Sequence, residues 1–314
     1  MSLLSLLIAL AVERSLSTQA FRFSFYYQHY QHFFSKNFTA KQGKVASAIF
    51  ILLPVLAIFL VVDTIDNPVF ELVFSTLILI VCFGCNITRT RYKNYLYSAF
   101  KGEHTTTKMH HQQLLSDKNL PDIGFGQALV WLNYRYYIAI MLYFTVFGAA
   151  GAVFYRLLTS VIEDKKSACI AQNFATASTE HSEVETNVTA EEEDLTNQPK
   201  TADQEKINPT ILSGCQNHHD VLFWADWLPV RIASFGYVFV GHFSKAMPVW
   251  LESLFDNKKP THQVLITVAE SSEDIIVNKD DCTEEPCLLV RLAKRNVLFV
   301  FAVISILTLV GLIN

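Results

Sequence analysis

The sequence predicts an all-α fold: a polytopic helical membrane protein with short or re-entrant apolar segments and cytoplasmic amphipathic helices. Three observations carry that expectation. Hydrophobic residues make up 51% of the 314 residues and charged residues only 17%, below the quarter usual in soluble domains. Several apolar runs approach the about 20 residues that a helix needs to cross a bilayer. Lys and Arg flank those runs, whereas most of the acidic excess sits in one stretch. A dispersed basic set of this kind argues against nucleic acid as a partner, since such proteins concentrate their cations on one surface.

Residues 1–12 are apolar but too short to span alone. They lack a basic start and a small-residue cleavage site, so they read as a retained segment rather than a signal peptide. Glu13 and Arg14 then sit at the interface as a pair. Residues 14–44 mix cations with Phe, Tyr and His in the manner of an interfacial helix. His29 and His32 share a face there, with no third His or acid to complete a metal site. Residues 45–62 form the first clear span, with Pro54 as a kink point. After the turn Asp63–Pro68, residues 69–85 return. The basic flanks 14–44 and 86–118 put that turn outside the cell membrane.

Residues 86–135 read as cytoplasmic helices. The apolar run 136–158 contains Gly148-Ala-Ala-Gly151 and admits two readings. The glycines serve close packing in one spanning helix, or they mark the tip of a re-entrant hairpin. Basic residues at both ends, Arg135 before and Arg156, Lys165 and Lys166 after, favour the hairpin. Residues 163–217, rich in Glu, Thr, Asn and Ser, read as an acidic disordered linker. The chain thus divides into an N-terminal region of membrane and cytoplasmic helices (1–162), the linker (163–217) and a C-terminal helical region (218–314).

In the C-terminal region, the helix 226–243 starts with Asp226 as cap and Pro229 in the first turn. Arg231, Ser234, His242 and Lys245 fall on one face at helical spacing. A cationic stripe on an apolar helix is costly and usually has a partner or a ligand; the alternative is snorkelling to headgroups. Further helices are expected from Pro248 to Phe255, over Gln263–Glu270 and over Leu288–Arg295. Residues 297–313 form the final span, entered from a basic cytoplasmic lead.

The cysteines give little. Cys82 and Cys85 lie in an apolar run and read as small buried thiols, and the pair has no second pair at zinc spacing. Phosphate-loop, nucleophile-elbow, zinc-protease and dinucleotide fingerprints are all absent from the sequence. What remains is a set of polar residues beside apolar runs: Glu13, Arg14, Asn133, Arg135, Arg156, Asp226, Arg231 and His242. Arginines with acids at a bilayer surface suit an anionic ligand such as a phosphate or a carboxylate. The alternative is a set of structural ion pairs, Glu13–Arg14 and Asp226–Arg231, that fix helix ends. On the ligand reading, Arg231→Ala abolishes function with little loss of folded protein.

Three separated stretches resemble the AmpE family. They are Asp226-Trp-Leu-Pro-Val-Arg231 continuing through Gly241-His242 to Trp250, then Leu129-Val-Trp131-Leu-Asn133-Tyr-Arg135-Tyr-Tyr, and Glu13-Arg14 after a short apolar start. The resemblance leaves out 163–217. It implies a multi-pass protein of the bacterial inner membrane with a regulatory role in cell-wall recycling and β-lactamase induction. It also implies the cytoplasmic amidase AmpD as a functional partner. The Gly-Ala turn before Arg156 and the Pro229-x-Arg231 pair are distantly similar to the CobD/CbiB membrane enzymes, whose Asp-Pro and His-Pro elements are not recognisable in this chain.

A sensor that binds cell-wall fragments or a nucleotide without turnover is the first expectation, with the lipid bilayer as its other partner and no cofactor. An ATP- and Mg-dependent membrane ligase and a muropeptide transport component are the alternatives.

Overall fold

A membrane fold starts with helices that cannot hide their own apolar surface. The computed structural model describes residues 2–13, 22–37, 44–65, 67–83, 86–183, 209–256, 259–274 and 283–312. Among them every regular element is helical. Helix α1 is Ser2–Glu13, α2 Phe23–Asn37, α3 Lys44–Thr64 and α4 Pro68–Cys82. Helices α5 (Asn86–Phe100), α6 (His104–Asp117) and α7 (Phe125–Asn133) follow, then a π-turn over Tyr134–Ile138. Helix α8 is Ala139–Glu183, α9 Pro209–Val240, α10 Phe243–Leu254, α11 Thr261–Ser271 and α12 Glu284–Leu309.

Helix α3 exposes Leu52, Leu56, Phe59 and Leu60, and α12 exposes Leu298, Val303, Ile306 and Leu309. Surface of this kind is sustained in lipid, not in water. Three stretches are long and apolar enough to cross a membrane, namely Ser47–Thr64, Phe125–Lys165 and Glu284–Leu309; the bent pair Pro68–Cys82 with Ile87–Phe100 makes a fourth if it is one span. The turn between α3 and α4 is set locally. Pro68 opens α4, where its missing N–H costs nothing, and the Asn67 side chain accepts from the Val69 and Phe70 amides. Helix α1, too short to span, packs along α4. Cys82 is buried at the end of α4, and Cys85 lies outside the described residues.

The middle stretch does not run straight. Gly148 breaks α8 with φ 66° and ψ −156°, a region open essentially to glycine alone. The chain folds back there. The Tyr143 and Tyr155 rings stack at 4.9 Å, whereas a straight helix would hold residues 12 apart at about 18 Å. Arg135 Nη1 meets Glu163 Oε1 at 3.0 Å, against about 42 Å along a straight helix. Gly151 lies so close to the Tyr143 carbonyl that a Cβ would collide with it. The stretch 136–158 therefore doubles back as a helical hairpin whose two basic ends lie on one side. Helices α3, α4 and α9 pack around it.

Several sequence expectations change. Asp226 does not cap a helix and Pro229 is not in a first turn, because α9 begins at Pro209. Pro229 instead sits inside the helix, where it removes the amide that would bond to the Ala225 carbonyl. Tyr143 Oη donates to that carbonyl at 3.0 Å, so the proline is tolerated. The stretch 163–217 is helical over 163–183 and 209–217; residues 184–208 lie outside the described residues. Leu288–Arg295 and the final span are one helix, and Pro248 lies within α10 rather than starting it.

The hairpin makes a direct prediction. In a cysteine-free background, Tyr143→Cys with Tyr155→Cys should cross-link within one chain by a short bismaleimide. A mobility shift restricted to linked dimers, or none, would count against the fold-back.

Candidate functional site at the π-turn

The hairpin is rooted in the π-turn Tyr134–Ile138, closed by the Ala139 amide donating to the Tyr134 carbonyl five residues back. Single π-turns widen a helix and recur at functional sites. Consecutive side chains on such a turn radiate in different directions. Here four in a row each meet a different part of the molecule.

Tyr134 Oη donates to Asp226 Oδ1 at 2.8 Å, and Tyr155 Oη donates to the same oxygen at 2.7 Å. Asp226 is only 1% exposed, so these phenols solvate a carboxylate that water does not reach. Arg135 pairs with Glu163 and lies over the Trp131 ring at 5.2 Å. Tyr136 Oη accepts from Lys118 Nζ at 2.6 Å. The Arg156 guanidinium lies 4.4 Å from the Tyr136 ring centroid and 5.1 Å from that of Phe23. Tyr137 Oη donates to Glu13 Oε1 at 3.0 Å and accepts from Arg89 Nη2 at 3.1 Å, while Arg89 also pairs with Glu13.

Of the predicted residues, Glu13, Arg135, Arg156 and Asp226 therefore gather around one turn, with Asn133 immediately before it. Asn133 Oδ1 is buried without a hydrogen-bond partner among the described residues. Arg14 lies outside the described residues. Glu13 takes Arg89 as its cation, and Asp226 takes two tyrosines rather than Arg231.

Arg231 is a correction. Its Nε donates to the Leu254 carbonyl at 2.7 Å, Nη1 to that of Trp227 at 3.1 Å, and Nη2 to those of Ser253 at 3.4 Å and Asp256 at 3.0 Å. Three of these carbonyls close the C-terminal end of α10, the end of a helix that favours a cation. The guanidinium also stacks on Trp227 at 4.1 Å. With its donors engaged in this way, Arg231 is a structural cap and not a member of the cluster. His242 is exposed beyond the end of α9, 3.4 Å from Asp274, which also binds Lys245. The hydrogen bond from Lys245, with its charge and that of His242, holds the Asp274 carboxyl below its ordinary range. The expected cationic stripe does not form, because the chain turns at Gly241 against Ser272 and carries His242 and Lys245 away from Arg231.

Lys118, Arg89, Glu163 and the four tyrosines are not singled out by sequence. The signal available is the run Tyr134-Arg-Tyr-Tyr137, whose phenols read by default as interfacial aromatics. Among the described residues, no group of three His, Cys, Asp or Glu is placed to hold a metal ion. A separate cavity of about 200 Å³ lies at the hairpin tip between Ser5, Phe59, Glu71 and Gly148. None of the predicted residues lines it.

A sequence model described as regulatory signalling modulator protein AmpE matches residues 1–188 and 207–314. The chain belongs to the AmpE family. Protein AmpE of Shigella flexneri is 26% identical over 243 residues, covering 75% of this chain and 72% of that protein. No solved structure matches. The unmatched gap 189–206 falls inside the acidic stretch and is narrower than the expected insert. The AmpE family match takes in every residue of the π-turn cluster.

Two outcomes are expected in this AmpE-family chain. Tyr134→Phe and Tyr155→Phe should each cost about 1.5–3 kcal/mol, the usual loss of a hydrogen bond to a charged group. Because both phenols serve one carboxylate oxygen, the double variant should lose more than the two single losses together. Thermal unfolding of all three variants reads that coupling, and simple additivity would mean that the donors act independently. Separately, Arg231→Ala should lower folded protein and function in parallel; full abundance with lost function would restore a ligand role.

Proposed function

We propose that the chain is a membrane-embedded sensor that binds an anionic ligand at the basic face of the bilayer and regulates cell-wall recycling and β-lactamase induction. The observation that carries this reading is Arg156. It is 8% exposed, its Nε is buried without a hydrogen-bond partner, and no ion pair reaches it among the described residues. Charge retained in a membrane protein without a counter-ion usually serves a ligand or a pathway. Lys118 adds a second cation on the same tyrosine ring.

The acids nearby support binding over catalysis. Glu13, Glu163 and Asp226 are each engaged by a cation or by phenols, and a ligase that activates a carboxylate with ATP needs clustered acids for Mg²⁺. The π-turn supplies a route from ligand to response. A ligand drawing on Arg156 or Arg135 displaces a turn whose neighbouring residues hold α1, α5 and α9. The inner membrane of a bacterium is the setting this reading requires, with the basic ends of the hairpin inside. Cell-wall fragments and nucleotides are the ligand classes it predicts, and the amidase AmpD the functional partner.

The test is induction of chromosomal β-lactamase in cells carrying Arg156→Ala or Lys118→Ala. Each variant should remain in the membrane near normal abundance while induction falls about 10-fold or more, the equivalent of one lost charged contact. Normal induction at normal abundance in both would overturn the proposal.

A further inference from the structure

Resting on the reading of Arg156 and Lys118 as a ligand site, we infer that the group they bind is a phosphate monoester or pyrophosphate carrying close to two negative charges, not a carboxylate. The charge count comes first. Arg135 has its carboxylate in Glu163. Lys118 and Arg156 form no ion pair among the described residues, and both sit on Tyr136, at 5.0 and 4.4 Å from its ring centroid. Two like charges are thereby held against one ring with no ion pair to either, and Glu163, whose charge reaches Lys118, is already paired with Arg135. One carboxylate offers a single negative charge. A phosphate monoester carries about 1.5–2 at neutral pH, with three acceptor oxygens.

The donors agree with the count. The Arg156 guanidinium lies over the Phe23 and Tyr136 rings, and no hydrogen bond from its side chain forms among the described residues. An edge of parallel N–H donors suits two oxygens of one phosphate. Lys118 spends one donor on the Tyr136 phenol and keeps two of its three. The tyrosine thus fixes the ammonium beside the guanidinium, and a third oxygen is what that ammonium would take. At the root of a hairpin beside lipid-facing helices, the phosphate could come from a lipid headgroup or from a soluble molecule.

The experiment uses the full chain purified in detergent, with thermal unfolding followed as probe concentration rises. Inorganic phosphate, methyl phosphate and pyrophosphate should raise the unfolding temperature, more at pH 8 than at pH 5.5, because the second ionisation of a phosphate monoester lies near pH 6. Arg156→Gln and Lys118→Met should each weaken the apparent affinity about 10-fold or more. Should Arg156→Gln fail to fold, Lys118→Met carries the same comparison, and Arg156→Lys should retain some of the binding. Binding to vesicles containing phosphatidic acid but not phosphatidylglycerol, without a response to the soluble probes, supports the inference with lipid as the source; a response to the soluble probes supports it with a free ligand. Succinate acting as well as phosphate would overturn the phosphate assignment and leave the anion site standing. Phosphate binding undiminished in both variants, or no response to any phosphate probe in solution or in vesicles, would overturn the site itself.

Discussion

Two phenols on one carboxylate oxygen tie this membrane fold together. Tyr134 stands at the root of the outgoing arm of the hairpin, Tyr155 on the returning arm, and Asp226 on α9. In a low-dielectric interior such bonds are strong, and their loss removes two donors from a buried carboxyl group. The fold-back at Gly148, the π-turn and the path of α9 must therefore agree with one another. Tyr143 repeats the principle one step further out, giving the Ala225 carbonyl the donor that Pro229 withholds.

The arginines divide by what satisfies them. Arg89 and Arg135 have carboxylates. Arg231 has backbone carbonyls at the end of α10, so its charge is spread over a helix terminus. Arg156 lies over two aromatic rings and has no ion pair among the described residues. Ring contacts with a cation contribute on the order of 1–2 kcal/mol when desolvated, less than the cost of burying the charge. That imbalance sets Arg156 apart from the other arginines of the cluster. Arg231 stands out in the sequence because it lies on an apolar helix, but a capping arginine and a ligand-binding arginine present the same local pattern.

The gathering at the π-turn also explains a grouping that chain order obscures. Glu13, Lys118, Arg135, Arg156 and Asp226 come from five separate stretches. Tyr134, Arg135, Tyr136 and Tyr137 bring them together because adjacent side chains on a wide turn face all around the helix axis.

Hydropathy and run length were enough to define the helical membrane class and the apolar helices near 45–62 and 297–309, because transfer into lipid depends on local composition; Pro68–Cys82 is long enough to cross only together with the bent helix that follows it. The same local chemistry marked Glu13, Asn133, Arg135, Arg156 and Asp226 as costly near a bilayer. Packing settled what local chemistry left open: that 136–158 doubles back, that Glu13 pairs with Arg89, that Asp226 accepts from two tyrosines, and that Arg231 closes a helix. Those outcomes depend on which groups meet across distances of tens to hundreds of residues, and burial penalties fix that a buried charge must find a partner without naming the partner.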